Sequence, residues 1–372
     1  MVMSRLACPT LFLFALASLL PAQEPKKLGF DTSALDRAAD PCSDFFQYAC
    51  GGWMTANPIP PDQSRGGRFD ALQDNNRAIL RDILEAAGKA TNRSAIEQKI
   101  GDYYASCMDE AAINAKGIAP LKGDLDAVAA MQSKAEITKV VARLFRSGGA
   151  AFFRFGSGPD SKNSTMNIAD LDQGGLGLPD RDYYLKTGEK DIELRNKYVA
   201  HVQKMFELIG IAPADAAKKA QAVLAIETKL AQGSLDRVSR RDPEKVYNIR
   251  KLKDLSDAAP TFGWAAFFQA VGAPKFQTLN VDVPDFLKTM ESVITQSSLD
   301  DLKSYLTWNV VHGSTAALPA AFEEETFNFF GKTLSGAKEL RPRWKRCVDQ
   351  TDSQLPDALG RKFVEKIGRA HV

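Results

Sequence analysis

Three histidines, His201, His312 and His371, are the strongest potential metal ligands in this sequence. A zinc site on one helix needs two histidines one turn apart, as in His-Glu-x-x-His, with a carboxylate completing the coordination. No histidine here has another nearby, and the motif occurs nowhere in the 372 residues. We therefore predict no metal site and no catalytic residue in this chain. Each histidine is predicted to be structural, with His201 on the polar side of its helix and His312 near a turn.

Other residues with catalytic potential occur in patterns that are typical of structural roles. A Gly-x-Ser-x-Gly nucleophile motif is absent. The carboxylates of Glu323-Glu324-Glu325 and Asp109-Glu110 are predicted to lie on solvated helix faces. Asp180-Arg181-Asp182 is predicted to form a buried ion-pair cluster beneath a glycine-rich turn at residues 174–177. That turn lacks the Lys-Ser/Thr of a phosphate loop, so we interpret it as an ordinary loop.

Two cysteines, Cys42 and Cys50, flank an aromatic run at residues 45–48. The run predicts a short buried helix, and Gly51-Gly52 predicts its C-terminal cap. On such a helix the two cysteines would be roughly 12 Å apart at 1.5 Å of rise per residue. A disulfide needs Cα atoms about 4.4–6.8 Å apart. We therefore expect each of these cysteines to have a partner elsewhere.

The composition describes an ordinary globular protein. Hydrophobic residues make up 44% and charged residues 25%, with a formal net charge of +2. A nucleic-acid or anionic-membrane surface requires a clustered excess of cations. We therefore expect no nucleic-acid partner.

The N-terminus has the features of a secretory signal peptide at residues 1–23. Arg5 precedes an apolar run over Leu6–Leu20, and Ala22 precedes a polar linker at residues 24–39. The run is shorter than the roughly 20 residues of a spanning helix. We therefore expect a secreted or periplasmic protein with no membrane span after cleavage, with an uncleaved anchor as the alternative. Cys8 would leave with the leader.

Four cysteines then remain, Cys42, Cys50, Cys107 and Cys347. In an exported protein such cysteines usually form disulfides. Four cysteines allow three pairings, and their positions alone do not choose among them.

Helical periodicity dominates the rest of the chain, so the predicted fold is mainly α-helical. A small β-hairpin is predicted from Phe152–Phe155 and Met166–Leu171. The last helix, beginning near Asp357, has no capping signal at its end. The predicted helices are Ala95–Asp109, Ala135–Arg146, Glu193–Ile209, Ala214–Gln232, Leu299–Val311 and Pro319–Leu334.

Several motifs resemble those of the neprilysin-like (M13) zinc metallopeptidases, in the order of that family, and the resemblance covers nearly everything from Asp36 to about Lys366. The motifs are Cys-Ser-Asp-Phe-Phe-Gln-Tyr-Ala-Cys-Gly-Gly-Trp at 42–53, Asn-Pro-Ile-Pro at 57–60, Tyr-Tyr-Ala-Ser-Cys-Met-Asp-Glu at 103–110, Gly-Leu-Gly-Leu-Pro-Asp-Arg-Asp-Tyr-Tyr at 175–184 and Trp-Lys-Arg-Cys at 344–347.

The resemblance implies a two-lobed peptidase. Residues 76–372 would be its helical cap lobe, truncated at the C-terminus, and residues 40–75 would connect this lobe to a missing C-terminal catalytic lobe. Zinc would be bound by the full-length parent and by no residue of this chain. The resemblance also implies a Cys107–Cys347 disulfide, and partners beyond residue 372 for Cys42 and Cys50.

One substrate-binding residue is implied by the same resemblance. In the family, an arginine in a Ser-Arg that precedes Phe-Asp helps bind the C-terminal carboxylate of the peptide. Ser64-Arg65 followed by Phe69-Asp70 matches this pattern. Some relatives carry a second arginine three residues beyond the Asp, where this chain has Gln73.

The functional hypothesis is therefore the N-terminal lobe of an exported zinc metalloendopeptidase that hydrolyses peptides and is inactive as this chain alone. The alternative is a non-catalytic helical module that binds peptides or proteins. An in-frame His-Glu-x-x-His downstream would favour the enzyme. A gene that ends near residue 372 would favour the binding module.

Overall fold

The computed structural model describes residues 31–368. The predicted signal peptide with Cys8, residues 24–30 of the linker, and His371 lie outside these residues. The chain divides into two compact units between Pro58 and Ile59. Within residues 31–368, no helix combines the length and apolar character needed to cross a membrane.

The first unit contains a 3₁₀ turn (Thr32–Ala34) and helix α1 (Phe45–Ala56), which Asp44 caps by accepting a hydrogen bond from the Gln47 amide. The predicted end at Gly51-Gly52 is wrong, because α1 continues through both glycines. The predicted burial is also wrong, since Phe45 and Phe46 are largely exposed. The glycines instead allow close backbone approach. A Cβ on Gly52 would lie 2.5 Å from the Ser33 carbonyl oxygen.

The second unit is mainly helical, and the predicted helices are present with shifted ends. Its α-helices are α2 (Arg68–Lys89), α3 (Ala95–Met108), α4 (Glu110–Lys116), α5 (Lys122–Ala129), α6 (Ile137–Arg146), α7 (Asp182–Leu185), α8 (Glu189–Leu208), α9 (Pro213–Gly233), α10 (Leu252–Ala258), α11 (Trp264–Ala270), α12 (Pro284–Gln296), α13 (Leu299–Ser314), α14 (Ala320–Thr326), α15 (Arg343–Gln354) and α16 (Pro356–Ile367). A π-helix (Phe327–Leu334) continues α14, where the sequence predicts one uninterrupted α-helix.

The strands are β1 (Phe153–Asp160), β2 (Asn163–Gln173), β3 (Ile249–Lys251) and β4 (Thr278–Val281), in the sheet order β1-β2-β4-β3. The predicted hairpin is formed by β1 and β2, which pair antiparallel from Phe153↔Gln173 and are longer than expected. β4 lies parallel to β2 and antiparallel to β3. Strands of three and four residues are too short to show a period of two, so the sequence did not predict them. The mainly α-helical fold with a β-hairpin is confirmed.

The larger of two hydrophobic cores in this unit surrounds α9, which packs against α8, α12 and α13. Val223, Ile226 and Leu230 recur every three or four residues on its buried face. Glu227 lies on the same face and is also buried. A carboxylate can be buried only if hydrogen bonds replace its water.

Four donors satisfy Glu227. The hydroxyls of Tyr184 and Tyr198 lie 2.9 Å from Oε2, and Trp308 Nε1 and the Gly177 amide lie 3.2 Å from Oε1. Gly177 belongs to the loop predicted from residues 174–177, and a Cβ there would fall 2.0 Å from the Tyr198 hydroxyl oxygen. Burial raises the pKa of Glu227 to about 7, against the lowering effect of these hydrogen bonds.

The predicted ion-pair cluster of Asp180-Arg181-Asp182 is wrong. Arg181 Nη1 donates to the Ser234 carbonyl at 2.5 Å, and Asp180 lies 3.6 Å from Arg237. Neighbouring side chains at a helix start point in different directions, so each finds a separate partner.

A second, smaller core is formed by α2, α3, α15 and α16, through residues such as Leu84, Ile100, Val348 and Leu359. A disulfide joins Cys107 to Cys347 at this core, with Cα atoms 5.6 Å apart. It links α3 to α15 across 240 residues of chain. Helix α16 ends at Ile367, and Gly368 caps it with a φ of 77°, which corrects the prediction of an uncapped end.

Glu227 should make the stability of the protein depend on pH. Its folded-state pKa of about 7 lies above the ordinary value of 4.5, so between these values the folded state holds a proton that the unfolded state has lost. Stability should therefore fall by about 3 kcal/mol as pH rises from 4.5 to 7. Glu227→Gln should reduce this slope in urea unfolding measured across that range, and the remainder should come from Asp282, whose pKa burial and the neighbouring Asp170 also raise to about 7. The exposed Glu324→Gln should keep it, and equal slopes for both variants would contradict the assignment.

The purified protein should contain a disulfide between Cys107 and Cys347. Closing so long a loop stabilises by roughly 5 kcal/mol in the chain-entropy model, and 2–4 kcal/mol is the usual yield. Non-reducing peptide mapping should recover a Cys107–Cys347 peptide. Cys42 and Cys50, which are outside the disulfide in the structure, should map as thiols or as intermolecular links. A Cys42–Cys50 peptide would overturn this pattern.

Candidate functional site

A cleft of about 510 Å³ opens in the second unit between the smaller core and the π-helix. Its walls come from the loop at residues 59–67, the start of α2, the π-helix and α15. Arg65, Asp70 and Gln73 line one side, and Phe327 and Phe330 line the other. The structure therefore places the predicted substrate-binding Arg65 in the same cleft as Gln73.

Arg65 presents a largely solvated guanidinium to this cleft. Its side chain is 85% exposed, and Nε lies 3.5 Å from Asp70 Oδ1 in the first turn of α2. At that distance the contact is a weak ion pair, which leaves N–H groups of the guanidinium available. A planar guanidinium can bind a carboxylate through two parallel hydrogen bonds.

The loop that carries Arg65 is held to its surroundings by backbone bonds. The Pro61 carbonyl accepts hydrogen bonds from the amides of Lys338 and Glu339 at 2.9 and 3.0 Å. Gly66 packs on Ile59, and a Cβ at Gly66 would lie 3.2 Å from Ile59 Cγ1. Gly67 is the N-cap residue of α2. The backbone on both sides of Arg65 is therefore fixed.

A network of ion pairs, here called the floor of the cleft, includes the lining residues Arg77, Arg341 and Asp349. Arg77 binds Asp349 through two hydrogen bonds, of 2.7 and 2.9 Å, and Asp74 through a third of 2.9 Å. Arg341 donates to the same Asp349 at 2.7 Å. Burial alone would lower the pKa of Arg77, but Asp349 and Asp74 raise it above its ordinary value. The network therefore consists of charged groups that satisfy one another.

Glu323 and Glu325 correct the prediction of a solvated acidic face. Glu323 is largely buried and accepts hydrogen bonds from Arg343, at 3.2 Å, and from Arg346. Glu325 Oε1 lies 2.8 Å from His201 Nδ1, while Glu324 is exposed. Consecutive residues on a helix point about 100° apart, so the three carboxylates reach three environments.

The prediction that His201 lies on the polar side of its helix is wrong. The side chain is buried, with 2% of its surface exposed. Its ring stacks on Phe329 with centroids 5.2 Å apart. His312 stacks on Trp308 at 4.8 Å, and burial, together with the nearby His201, lowers its pKa to about 4. Among the residues that the structure describes, no three His, Cys, Asp or Glu side chains are grouped to bind a metal. The resemblance implies zinc in the full-length parent and on no residue of this chain, so we assign none of these residues a role in binding it.

Sequence reasoning missed the charged floor and the aromatic wall. The floor residues Arg77 and Asp349 are 272 positions apart, so no local pattern in the sequence links them. The wall at Phe327 and Phe330 depends on the π-helix, which no sequence periodicity indicates.

Comparison with curated proteins identifies relatives in several animals. The chain is 32% identical over 346 residues to endothelin-converting enzyme 1 of Rattus norvegicus, covering 90% of this chain and 45% of the relative. The Homo sapiens enzyme gives the same identity, with 44% of its length covered. The chain therefore spans less than half the length of these relatives.

Solved structures give the same result. The Mycobacterium tuberculosis zinc metalloprotease Zmp1, in complex with an inhibitor, superposes with a TM-score of 0.85 at 33% identity over 90% of this chain and 51% of the other. PepO from Lactobacillus rhamnosis, at 19% identity and a TM-score of 0.75, shares the fold. The family model described as peptidase family M13, in its N-terminal part, matches residues 41–370. The chain therefore belongs to peptidase family M13.

Proposed function

We propose that this chain is the N-terminal lobe of an exported zinc metalloendopeptidase that hydrolyses peptides. The match of the M13 family model to residues 41–370 carries this proposal. Relatives named as endothelin-converting enzyme and as zinc metalloprotease support the reaction class. Zinc and its ligands would be contributed by a catalytic lobe outside residues 1–372.

Within this lobe, the cleft at Arg65 is proposed to bind the C-terminal end of a peptide substrate. The solvated guanidinium of Arg65 would take the peptide carboxylate, and the Phe327 and Phe330 wall would contact the adjacent side chains. Gln73 lines the same side of the cleft without adding positive charge. The preference for peptides with a free C-terminal carboxylate would then depend on Arg65 alone.

Export is proposed from the N-terminal sequence and from the cysteines. The apolar run over Leu6–Leu20 follows Arg5, as in a secretory signal. The Cys107–Cys347 disulfide fits an oxidising compartment, such as the periplasm or the extracellular space.

The isolated chain should neither retain zinc nor cleave peptides. Purified residues 1–372 should lose zinc on dialysis, as measured by elemental analysis, and show no chelator-sensitive cleavage of a peptide library. Stoichiometric zinc or such cleavage would show that a metal site was missed. If the complete gene product also lacks both properties, the alternative of a non-catalytic peptide-binding module would replace the enzyme.

Arg65→Ala in the complete enzyme should weaken catalysis selectively. A hydrogen bond to a charged group contributes about 1.5–3 kcal/mol, so kcat/KM for short peptides with a free carboxylate should fall roughly tenfold or more. C-terminally amidated versions should change little, because they offer no carboxylate. Because Gln73 adds no second cation, the wild-type preference for free over amidated peptides should itself be modest.

The control for this assay is Arg146→Ala, which removes an exposed arginine at the end of α6, outside the cleft. It should leave both peptide forms unaffected. Equal losses on free and amidated peptides in Arg65→Ala would mean that Arg65 supports the structure and does not bind the carboxylate.

A further inference from the structure

Lys345 is a charged side chain in a place where charge is costly. It lies on α15 with its side chain only 14% exposed, and its Nζ is 3.1 Å from Asp62 Oδ2. The Asp62 side chain is itself only 9% exposed. Removing two charges from water costs free energy that their attraction often does not recover, so stability alone does not explain this buried ion pair.

The same ammonium reaches a second carboxylate. Lys345 Nζ lies 3.5 Å from Asp74 Oδ2, on α2. Asp74 Oδ2 also accepts a hydrogen bond of 2.8 Å from Gln63 Nε2. Lys345 therefore joins α15, α2 and two consecutive residues of the loop at 59–67, one directly and one through Asp74.

Arg65 comes three residues after Asp62 and two after Gln63. The side chains of Asp62 and Gln63 connect the loop to α15 and α2, whereas the Arg65 side chain is 85% exposed. An exposed arginine has many rotamers, so the position of its guanidinium depends on where the backbone places its Cα. Loss of the Lys345 charge would leave the Asp62 carboxylate buried without a cation, and the loop would move to hydrate it.

We propose that Lys345 is a positioning residue for Arg65, and through it a determinant of selectivity for the C-terminal carboxylate of a peptide. This inference rests on the proposed function of the cleft. Lys345 contacts no substrate in this account. It fixes the loop before the substrate binds, so less conformational entropy is lost when the guanidinium binds the carboxylate.

Three variants of the complete protein test the inference: Lys345→Met, Lys345→Arg and the matched control Lys362→Met. Lys362 is also a largely buried, ion-paired lysine, 3.1 Å from Glu97, but it connects α16 to α3. The first measurement is the rate at which trypsin cleaves the bond between Arg65 and Gly66, followed by mass spectrometry. Lys345→Met should accelerate this cleavage at least about fivefold, since cleavage follows local opening. Lys345→Arg and Lys362→Met should stay close to wild type.

The second measurement compares kcat/KM on free and amidated peptides. Lys345→Met should lower the free-to-amidated ratio at least about threefold, mainly through KM, because a displaced guanidinium binds the carboxylate less well. Lys345→Arg should restore the ratio. Combined with Arg65→Ala, Lys345→Met should cause no further loss of the ratio, because both changes remove the same contact.

The remaining outcomes overturn the inference in distinguishable ways. Unchanged cleavage after Arg65 in Lys345→Met would show that Lys345 does not fix the loop, whatever Arg65 does. Faster cleavage with equal losses on both peptide forms would make Lys345 purely structural. Faster cleavage, with the ratio unaffected by Arg65→Ala itself, would refute the carboxylate role of Arg65 and the positioning role of Lys345 together.

Discussion

The ion pair between Arg77 and Asp349 is the constraint on which the cleft depends. The Arg77 side chain is only 10% exposed, and it meets Asp349 through both Nε and Nη2. A guanidinium so far from water is tolerable only when fixed carboxylates replace its hydration. Since Arg77 lies on α2 and Asp349 on α15, the pair determines how these two helices approach each other. The loop at 59–67 leads directly into α2, so the position of that loop follows from the same pair.

Helix α15 concentrates these connections within seven residues, 343–349. Successive side chains point about 100° apart, so one short helix can reach several neighbours. Lys345 reaches Asp62, Arg346 reaches Glu323, Cys347 bonds to Cys107 and Asp349 reaches Arg77. The disulfide fixes the helix to α3, and the charged residues then hold the cleft walls at set distances from it. The disulfide already restricts the conformational freedom of α15, so the neighbouring ion pairs have less of it to restrict.

The sequence predicted the elements better than their environments. Period-3.6 patterns found α3, α8, α9 and α13, because each buries one continuous apolar face. The burial of His201 and Glu323 could not be read in this way, since both are polar residues whose partners come from other elements. The predicted helix end at Gly51-Gly52 was wrong for a related reason. Glycine is common both at helix ends and where two backbones pack closely, and only the neighbouring backbone at Ser33 shows that close packing is the case here. Arg65 was found through a family motif. Lys345 pairs with Asp62, 283 positions away, so no local signal distinguishes it from a surface lysine.

If this ion pair organises the cleft, Arg77 and Asp349 must stabilise the fold through each other. A double-mutant cycle of urea unfolding with Arg77→Ala, Asp349→Ala and the double variant measures that coupling directly. We expect a coupling free energy of about 1–3 kcal/mol. The same cycle on the exposed pair Glu193–Lys197 of α8 should give less than about 0.5 kcal/mol. A coupling between Arg77 and Asp349 no larger than that of the exposed pair would contradict the claim that this ion pair organises the cleft.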